Sequence, residues 1–148
     1  MTYQLVLALM EDQAWLERLR RDVYLELFVA TFGSWDEVRH ARQFSECLTR
    51  AGISIIKIDG MRVGMIQVFD QPDGVEVGEI QIQPSHQNQG IGTRVLTDAI
   101  IRGHEQGKKI VLSVALKNER AYRLYQRLGF QRVAHNDTHN LMFCGPPS

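Results

Sequence analysis

The chain has 148 residues, 44% of them hydrophobic, which is enough for one domain to bury a core without disulfides or metal. Its 17 lysines and arginines balance 17 aspartates and glutamates, so the charge favours neither nucleic acid nor a basic partner. The two cysteines, Cys47 and Cys144, lack metal-ligand spacing, and no apolar run is long enough to cross a bilayer. We therefore predict one cytoplasmic domain over residues 1–148, with buried unpaired thiols and no membrane or nucleic-acid partner.

The amino-terminal third predicts one strand and two helices. Residues 4–9 have the composition of a short strand. The helix that follows ends near Gly33 and is predicted from apolar residues that recur every four positions: Trp15, Leu19, Val23 and Leu27. Ser34 and Glu37 have the spacing of a capping box, which predicts a second helix over about residues 35–50.

The middle of the chain predicts three antiparallel strands. The segments "ISIIKI", "RVGMIQVF" and "VEVGEIQIQ" are rich in residues that favour strands. Asp59-Gly60 and Asp73-Gly74 separate them, and Asp-Gly is a favoured pair in tight hairpin turns. Pro84 lacks an amide hydrogen and therefore ends the third strand.

The rest of the chain predicts two helices and three strands. A helix over about residues 90–106 stops at Gly107, and the buried strand "KKIVLSVAL" follows it. The segment "NERAYRLYQRLGF" predicts a short helix that stops at Gly129, and "QRVAH" and "NLMFC" predict the last two strands. The order β-α-α-β-β-β-α-β-α-β-β therefore predicts an α/β or α+β fold built on a mixed sheet.

Gly90 and Gly92 stand at the start of the third predicted helix, although glycine is a poor helix former. The glycines can expose the first helical amides to a phosphate group, which the helix dipole also favours. Alternatively, they serve only the geometry of the turn. The segment is not a P-loop, because no Lys-Ser/Thr pair follows Gly92, and Val95 breaks the three-glycine dinucleotide pattern.

Two motifs give the chain a family resemblance. The run "QNQGIG" at residues 87–92 follows a strand and matches the pattern Q/R-x-x-G-x-G/A. A later segment matches the pattern N-x-x-A-x-x-L-Y-x-x-L-G-F with these residues: Asn118, Ala121, Leu124, Tyr125, Leu128, Gly129 and Phe130. Together with the order of the elements, the motifs resemble those of the GNAT family of N-acetyltransferases.

The resemblance implies a mixed, mostly antiparallel sheet with helices on both faces, whose strands four and five splay apart to hold acetyl-CoA. Acetyl-CoA is the expected co-substrate, and no metal cofactor is expected. Backbone groups of Gln81 and Ile82 would pair with the pantetheine arm, and Asn118 would contact the cofactor from another side. The remaining cofactor residues form one run at the diphosphate: Gln87, Asn88, Gln89, Gly90, Ile91, Gly92 and Thr93.

Acetyl transfer needs an acid for the departing thiolate and a base for the amine. Tyr125 matches the tyrosine that commonly acts as the acid in this family, and the alternative is that it only packs on its helix. Relatives carry the base as a glutamate on strand four or five, and Ser113 stands on strand five here. The candidates are therefore Glu79, acting directly or through water, and Glu76; either can instead be an ordinary solvated or hydrogen-bonded carboxylate. Strand alternation predicts that Glu79 and Gln81 share one face.

Acceptor binding is predicted for four residues: Arg20, Tyr24, Trp35 and His139. The alternatives are that Trp35 anchors its helix and that Arg20 is a solvated charge. His135, Asp137 and the neighbouring His139 are expected to line the acceptor end or to form a turn rather than a metal site. Three further histidines are predicted to lie on the surface: His40, His86 and His104.

The predicted function is direct transfer of an acetyl group from acetyl-CoA to a primary amine of a small molecule, peptide or protein. Neither cysteine lies in a motif, so nothing in the sequence suggests a covalent acetyl-enzyme. The alternative is a non-catalytic acyl-CoA-binding or interaction module, which Ser113 favours and Tyr125 opposes. The resemblance also allows a homodimer through the carboxy-terminal strands.

Overall fold

The computed structural model describes residues 2–146, which contain a seven-stranded sheet and four α-helices in the predicted order. The strands are β1 (Gln4–Leu7), β2 (Ile53–Ile58), β3 (Met61–Asp70), β4 (Gly74–Ile82), β5 (Lys109–Ala115), β6 (Gln131–His135) and β7 (His139–Cys144). The helices are α1 (Gln13–Phe32), α2 (Glu37–Arg50), α3 (Ile91–Glu105) and α4 (Glu119–Arg127). None of the helices within residues 2–146 has both the length and the apolar character of a membrane-spanning segment.

The strand order in the sheet is β1-β2-β3-β4-β5-β7-β6. Antiparallel ladders join β1 to β2, β2 to β3, β5 to β7 and β6 to β7, whereas β4 and β5 run parallel. The parallel ladder ends at the pair of Val77 and Leu112, while β4 continues to Ile82 and β5 to Ala115. The predicted mixed, mostly antiparallel sheet is therefore confirmed, and both central strands extend past their shared ladder.

The contacts of the chain divide it into two compact units. The first comprises the chain up to Gln67 together with Glu79–Gln89, and the second comprises Val68–Gly78 together with the chain from Gly90 onward. Strands β3 and β4 contribute residues to both units. The single-domain organisation stays a prediction.

In the first unit, α1 and α2 bury their apolar faces against β2 and β3. The helix α1 ends as predicted at Gly33, whose left-handed φ of 87° is a conformation that glycine adopts without strain. Burial of each large apolar side chain in such a core contributes about 1.5–3 kcal/mol. The buried core of this unit consists of Leu16, Leu19, Cys47, Ile53, Ile55 and Met65.

The helix α2 does not begin with the predicted capping box. Asp36 is its N-cap, because the Asp36 carboxylate accepts the amide of Arg39 at 3.1 Å from an extended backbone conformation. Glu37, the expected acidic partner of Ser34, instead pairs with Arg21. The prediction of a Ser34–Glu37 box is therefore wrong, and the helix starts two residues later than expected.

In the second unit, α3 packs on β5 through the predicted apolar stripe. A Cβ on Gly103 would lie 2.4 Å from Cδ1 of Ile110, so the missing side chain lets helix and strand approach closely. Gly107 and Gly129 follow α3 and α4 with φ angles of 72° and 102°, as predicted for helix stops. The buried side chains on the two elements are Ile91, Val95, Leu96, Ala99 and Ile100 on α3, and Ile110, Leu112 and Val114 on β5.

Candidate active site

The start of α3 has a geometry that suits an anion. The helix begins at Ile91 behind Gly90, which is left-handed (φ 80°, ψ 7°) and provides no side-chain cap. The Gly90 carbonyl accepts the amide of Arg94 at 3.0 Å, which is the first bond of the helix. The amides of Ile91, Gly92 and Thr93 come before that bond and therefore have no partner inside the helix. Bare amides at the positive end of a helix dipole bind phosphate groups readily.

The segment between β4 and α3 is fixed by Gln87. Its Nε2 donates to the carbonyl of Ile82 at 2.9 Å, and Asn88 has a left-handed φ of 64° that asparagine tolerates better than most residues. Further back, a Cβ on Gly64 of β3 would lie 2.4 Å from the carbonyl oxygen of Gln81. Glycine at position 64 therefore allows β3 to approach the part of β4 that carries two of the predicted cofactor residues.

A polar cluster in the first unit surrounds the carboxylate of Glu79. Oε1 of Glu79 accepts from Nη1 of Arg20 at 2.8 Å. Oε2 accepts from the hydroxyl of Tyr24 and from Nε2 of Gln81, each at 2.9 Å. The second bond confirms that Glu79 and Gln81 share one face of β4. Nη2 of Arg20 also donates to Oε1 of Gln43 at 3.2 Å, so α1, α2 and β4 meet at one ion pair.

Arg20 is a buried cation. Its side chain is 7% exposed and that of Glu79 is 20% exposed, and its guanidinium lies 5.1 Å from the ring centroid of Tyr24. Burial, the largest influence, lowers the pKa of Arg20, but the neighbouring charges, first that of Glu79, outweigh it and raise the pKa above its ordinary value. The alternative that Arg20 is a solvated charge is therefore wrong. Two predicted acceptor residues, Arg20 and Tyr24, therefore donate to the carboxylate of the predicted base, Glu79, and their role in acceptor binding stays a prediction.

Trp35 belongs to a row of rings in the same unit. Neighbouring centroids are 4.9–6.3 Å apart along the series Tyr24, Phe28, Trp35, His40 and Phe44. His40 is only 1% exposed, because it lies on the same face of α2 as Phe44 and Cys47. The prediction that His40 is a surface histidine is therefore wrong, and Trp35 is joined through Phe28 to Tyr24 at the Glu79 cluster.

Cys47 lies beside this cluster, and its thiol is free and buried. Burial, with a smaller contribution from the charge of Glu79, raises the pKa of Cys47 to about 11. Sγ of Cys47 donates to Oε1 of Gln67 at 3.2 Å. Cys144 is also free and buried, and burial raises its pKa too. Because the thiolate is the nucleophilic form, a raised pKa makes each cysteine a poorer nucleophile than an exposed one.

In the second unit, α4 carries two further candidates. Asn118 caps the helix, since its Oδ1 accepts the amide of Ala121 at 3.2 Å. The group with which Asn118 can donate to a ligand is accordingly its Nδ2 amide. Tyr125 is half-buried with its ring centroid 5.8 Å from that of Phe130. The ring therefore contacts Phe130, and the role of the hydroxyl as acid stays a prediction.

Glu76 and His139 have local contacts in the second unit. Glu76 accepts from Nε2 of Gln71 at 3.4 Å, across the turn that precedes β4. His139 begins β7, and Asn136 builds the turn before it by accepting the amides of Thr138 and His139. Among the side chains of residues 2–146, no three potential metal ligands come together.

Sequence reasoning missed Gln43 and the side chain of Gln81. Gln81 was a candidate for its backbone alone, yet its side chain is buried and donates to Glu79. Gln43 lies three residues after His40 and four before Cys47, which is the spacing of one helical face. That spacing was the available signal for Gln43.

Comparison with known proteins adds a family match. Residues 15–130 match the family model described as the Acetyltransferase (GNAT) family. The matched span contains both motifs together with Arg20 and Glu79, whereas His139 lies beyond it.

Individual relatives agree with this match. An uncharacterized N-acetyltransferase of Methanocaldococcus jannaschii is 27% identical over 126 residues, covering 74% of this chain and 56% of that protein. Mycothiol acetyltransferase of Thermomonospora curvata is 34% identical over 121 residues, covering 78% of this chain and 38% of that protein. The chain therefore spans about half the length of the first relative and less of the second.

A solved structure has the same fold. The PaiA N-acetyltransferase of Thermoplasma acidophilum, in complex with coenzyme A, superposes with a TM-score of 0.77 at 16% identity. The likeness covers 98% of this chain and 99% of that one. At this identity the likeness establishes the fold alone.

Proposed function

Because the chain belongs to the Acetyltransferase (GNAT) family, we propose that it transfers the acetyl group of acetyl-CoA directly to a primary amine. The observation that carries the proposal is the uncapped start of α3 behind the left-handed Gly90, within the matched span. The acceptor is an amine of a small molecule, peptide or protein. Two of the similar proteins described above are named N-acetyltransferases, which supports an amine as the acceptor.

The residues at the start of α3 fit the diphosphate of acetyl-CoA. A Cβ added to Gly90 would meet nothing within 4 Å apart from its chain neighbours, so no other part of the described chain crowds this residue. Those amides and the helix dipole would hold the diphosphate. The proposal keeps the other predicted cofactor contacts: Gln81, Ile82, Gln87, Asn88, Gln89 and Asn118.

Tyr125 is proposed as the acid. The amine nitrogen attacks the thioester carbonyl carbon, the carbon–sulfur bond breaks, and the departing thiolate takes a proton from the Tyr125 hydroxyl. A phenol, with an ordinary pKa of about 10, is a suitable donor to an alkyl thiolate. The contact with Phe130 supports this role because it restricts the orientation of the ring.

Glu79 is proposed as the base that takes the proton of the acceptor amine, directly or through a water molecule. Arg20, Tyr24 and Gln81 all donate to its carboxylate and fix the orientation of that group. Glu76, the second candidate, accepts a long bond of 3.4 Å from Gln71. A carboxylate held by three bonds of 2.8–2.9 Å is oriented as a positioned base requires.

An assay of amine-dependent thiol release tests the proposal. The protein is incubated with acetyl-CoA and, separately, with trialanine, N-acetyl-lysine amide or spermidine. We expect free thiol to accumulate only when both the protein and a suitable amine are present. A protein that binds acetyl-CoA but releases no thiol with any amine would instead be the non-catalytic acyl-CoA-binding module.

The location and the partners belong to the same proposal. The free, buried cysteines suit a reducing compartment, so we propose a cytoplasmic location. We also propose that the protein binds neither a membrane nor nucleic acid. A homodimer through β6 and β7 is supported by the exposure of all five residues of β6, an edge strand that could pair with another chain.

A further inference from the structure

The carboxylate proposed as the base, Glu79, forms an ion pair with the buried cation Arg20. In the first unit, the groups around the Arg20–Glu79 pair are Tyr24 of α1, Gln43 and Cys47 of α2, and Gln81 of β4. Tyr24 donates its hydroxyl hydrogen to Glu79, and the thiol of Cys47, whose pKa is raised to about 11 by burial, stays protonated near neutral pH. The charges of the pair therefore sum to zero.

We propose that Arg20 is a positioning residue that keeps the acceptor amine in its neutral, nucleophilic form by cancelling the charge of Glu79. This inference rests on the proposed function, because it needs Glu79 on the acceptor side of the reaction. An amine attacks a thioester only after it has lost its extra proton. An unpaired carboxylate would stabilise the ammonium form, and a cation 2.8 Å from that carboxylate opposes this effect.

The neighbours of Arg20 hold its guanidinium next to Glu79. Nη2 is held by Gln43, and the guanidinium lies 5.1 Å from the ring centroid of Tyr24 and 5.9 Å from that of Phe28. Because the Arg20 side chain is 7% exposed, solvent screens its charge only weakly. A buried ion pair is weak evidence for a role in stability, since desolvation offsets much of the attraction. Stability alone therefore does not account for the Arg20–Glu79 pair, and we assign to it the role of setting the charge around the acceptor amine.

Arg20→Gln tests the inference through the pH profile of kcat. Loss of the cation raises the proton affinity of the amine and Glu79 taken as a pair, whichever of the two holds the proton. The midpoint at which kcat rises with pH should move up by about one unit. At neutral pH, kcat and the KM for the amine should both fall about tenfold, because the ammonium form binds more tightly but cannot react. Damage to the fold alone would not lower KM.

Matched variants separate charge from structure. Arg20→Lys keeps the charge and should restore most of the wild-type profile. Glu79→Gln leaves Arg20 uncompensated, so the midpoint for its residual activity should move in the opposite direction, to lower pH. Arg62→Gln removes another ion pair of the same unit, Arg62 with Asp12 at 2.9 Å, and should leave the midpoint unchanged.

The experiment uses the amine of the thiol-release panel with the highest wild-type turnover, and it records melting and coenzyme A binding for every variant. A folded Arg20→Gln protein with the wild-type midpoint and KM would overturn the inference. If Arg20→Gln does not fold, a Glu79→Gln midpoint at or above that of the wild type would overturn it instead. Absence of turnover by the wild-type protein with every amine would overturn the proposed function itself.

Discussion

Two carboxylates of β4 compete for the role of base, and their surroundings differ. Glu79 accepts hydrogen bonds from Arg20, Tyr24 and Gln81, whereas Glu76 has a long, exposed bond to Gln71. We expect Glu79→Gln to lower kcat about a hundredfold, the contribution typical of a positioned base. Glu76→Gln is the control and should change kcat less than about twofold. A larger loss in Glu76→Gln than in Glu79→Gln, measured by steady-state kinetics, would reverse the assignment.

The second prediction concerns the hydroxyl of Tyr125. Tyr125→Phe keeps the ring on Phe130 but removes the proposed proton donor. We expect kcat to fall about a hundredfold with coenzyme A affinity unchanged. Tyr122→Phe, which deletes a hydroxyl from the same helix at a position that the family motif leaves unspecified, should retain wild-type kcat. If Tyr125→Phe, like Tyr122→Phe, kept the kcat of the wild type, the assignment of Tyr125 as the acid would be wrong.

The third prediction is a pH dependence of stability that comes from Cys47. The thiol titrates near its ordinary pKa of 9.0 when unfolded and at about 11 when folded. Between those pH values the native state binds more protons than the unfolded state, so stability falls as the pH rises. Wild type should lose about 2 kcal/mol over this range relative to Cys47→Ala, measured by urea unfolding at several pH values. A difference between the two proteins that does not change with pH would contradict the buried thiol.

At the scale of elements, α3 permits a test with two ends of one helix. Gly90 and Gly107 have left-handed φ angles of 80° and 72°, and a Cβ on either would meet no atom within 4 Å. An alanine at either position therefore costs a similar strain of about 1 kcal/mol. Gly90→Ala should weaken coenzyme A binding, measured by calorimetry, because it disturbs the amides at the start of the helix. Gly107→Ala should not, and equal affinities would argue against a diphosphate site at this helix start.

Local signals predicted most elements and failed at one helix start. Asp59 and Gly60 have φ angles of 52° and 76°, the paired left-handed angles that an Asp-Gly hairpin turn requires. The predicted start of α2 was wrong because the side chains of Ser34 and Asp36 can both act as an N-cap. The backbone of Asp36 reaches the cap conformation, and Glu37 turns to Arg21, which belongs to another helix. A local sequence pattern does not show that Glu37 pairs with Arg21 rather than with Ser34.

At the scale of the whole molecule, the sequence predicted candidates but not the contacts that join them. Arg20, Tyr24 and Glu79 were each singled out, yet 59 positions separate Arg20 from Glu79. Only the packing of α1 on the sheet brings the guanidinium to the carboxylate, and only burial turns Arg20 from a solvated charge into an ion-pair partner. The fold could be predicted because its turns, glycines and motifs are short sequence patterns. The Glu79 cluster could not, because it forms only through tertiary packing.

Mass spectrometry of a single-turnover reaction tests the central claim of direct acetyl transfer. The protein is mixed, in excess over acetyl-CoA, with the best amine of the panel, and both the amine and the intact protein are weighed as free coenzyme A appears. The account predicts one acetyl group on the amine nitrogen for each coenzyme A released, with Cys47 and Cys144 unmodified. An acetyl group that passes through either cysteine during turnover, or coenzyme A released without an acetylated amine, would contradict it.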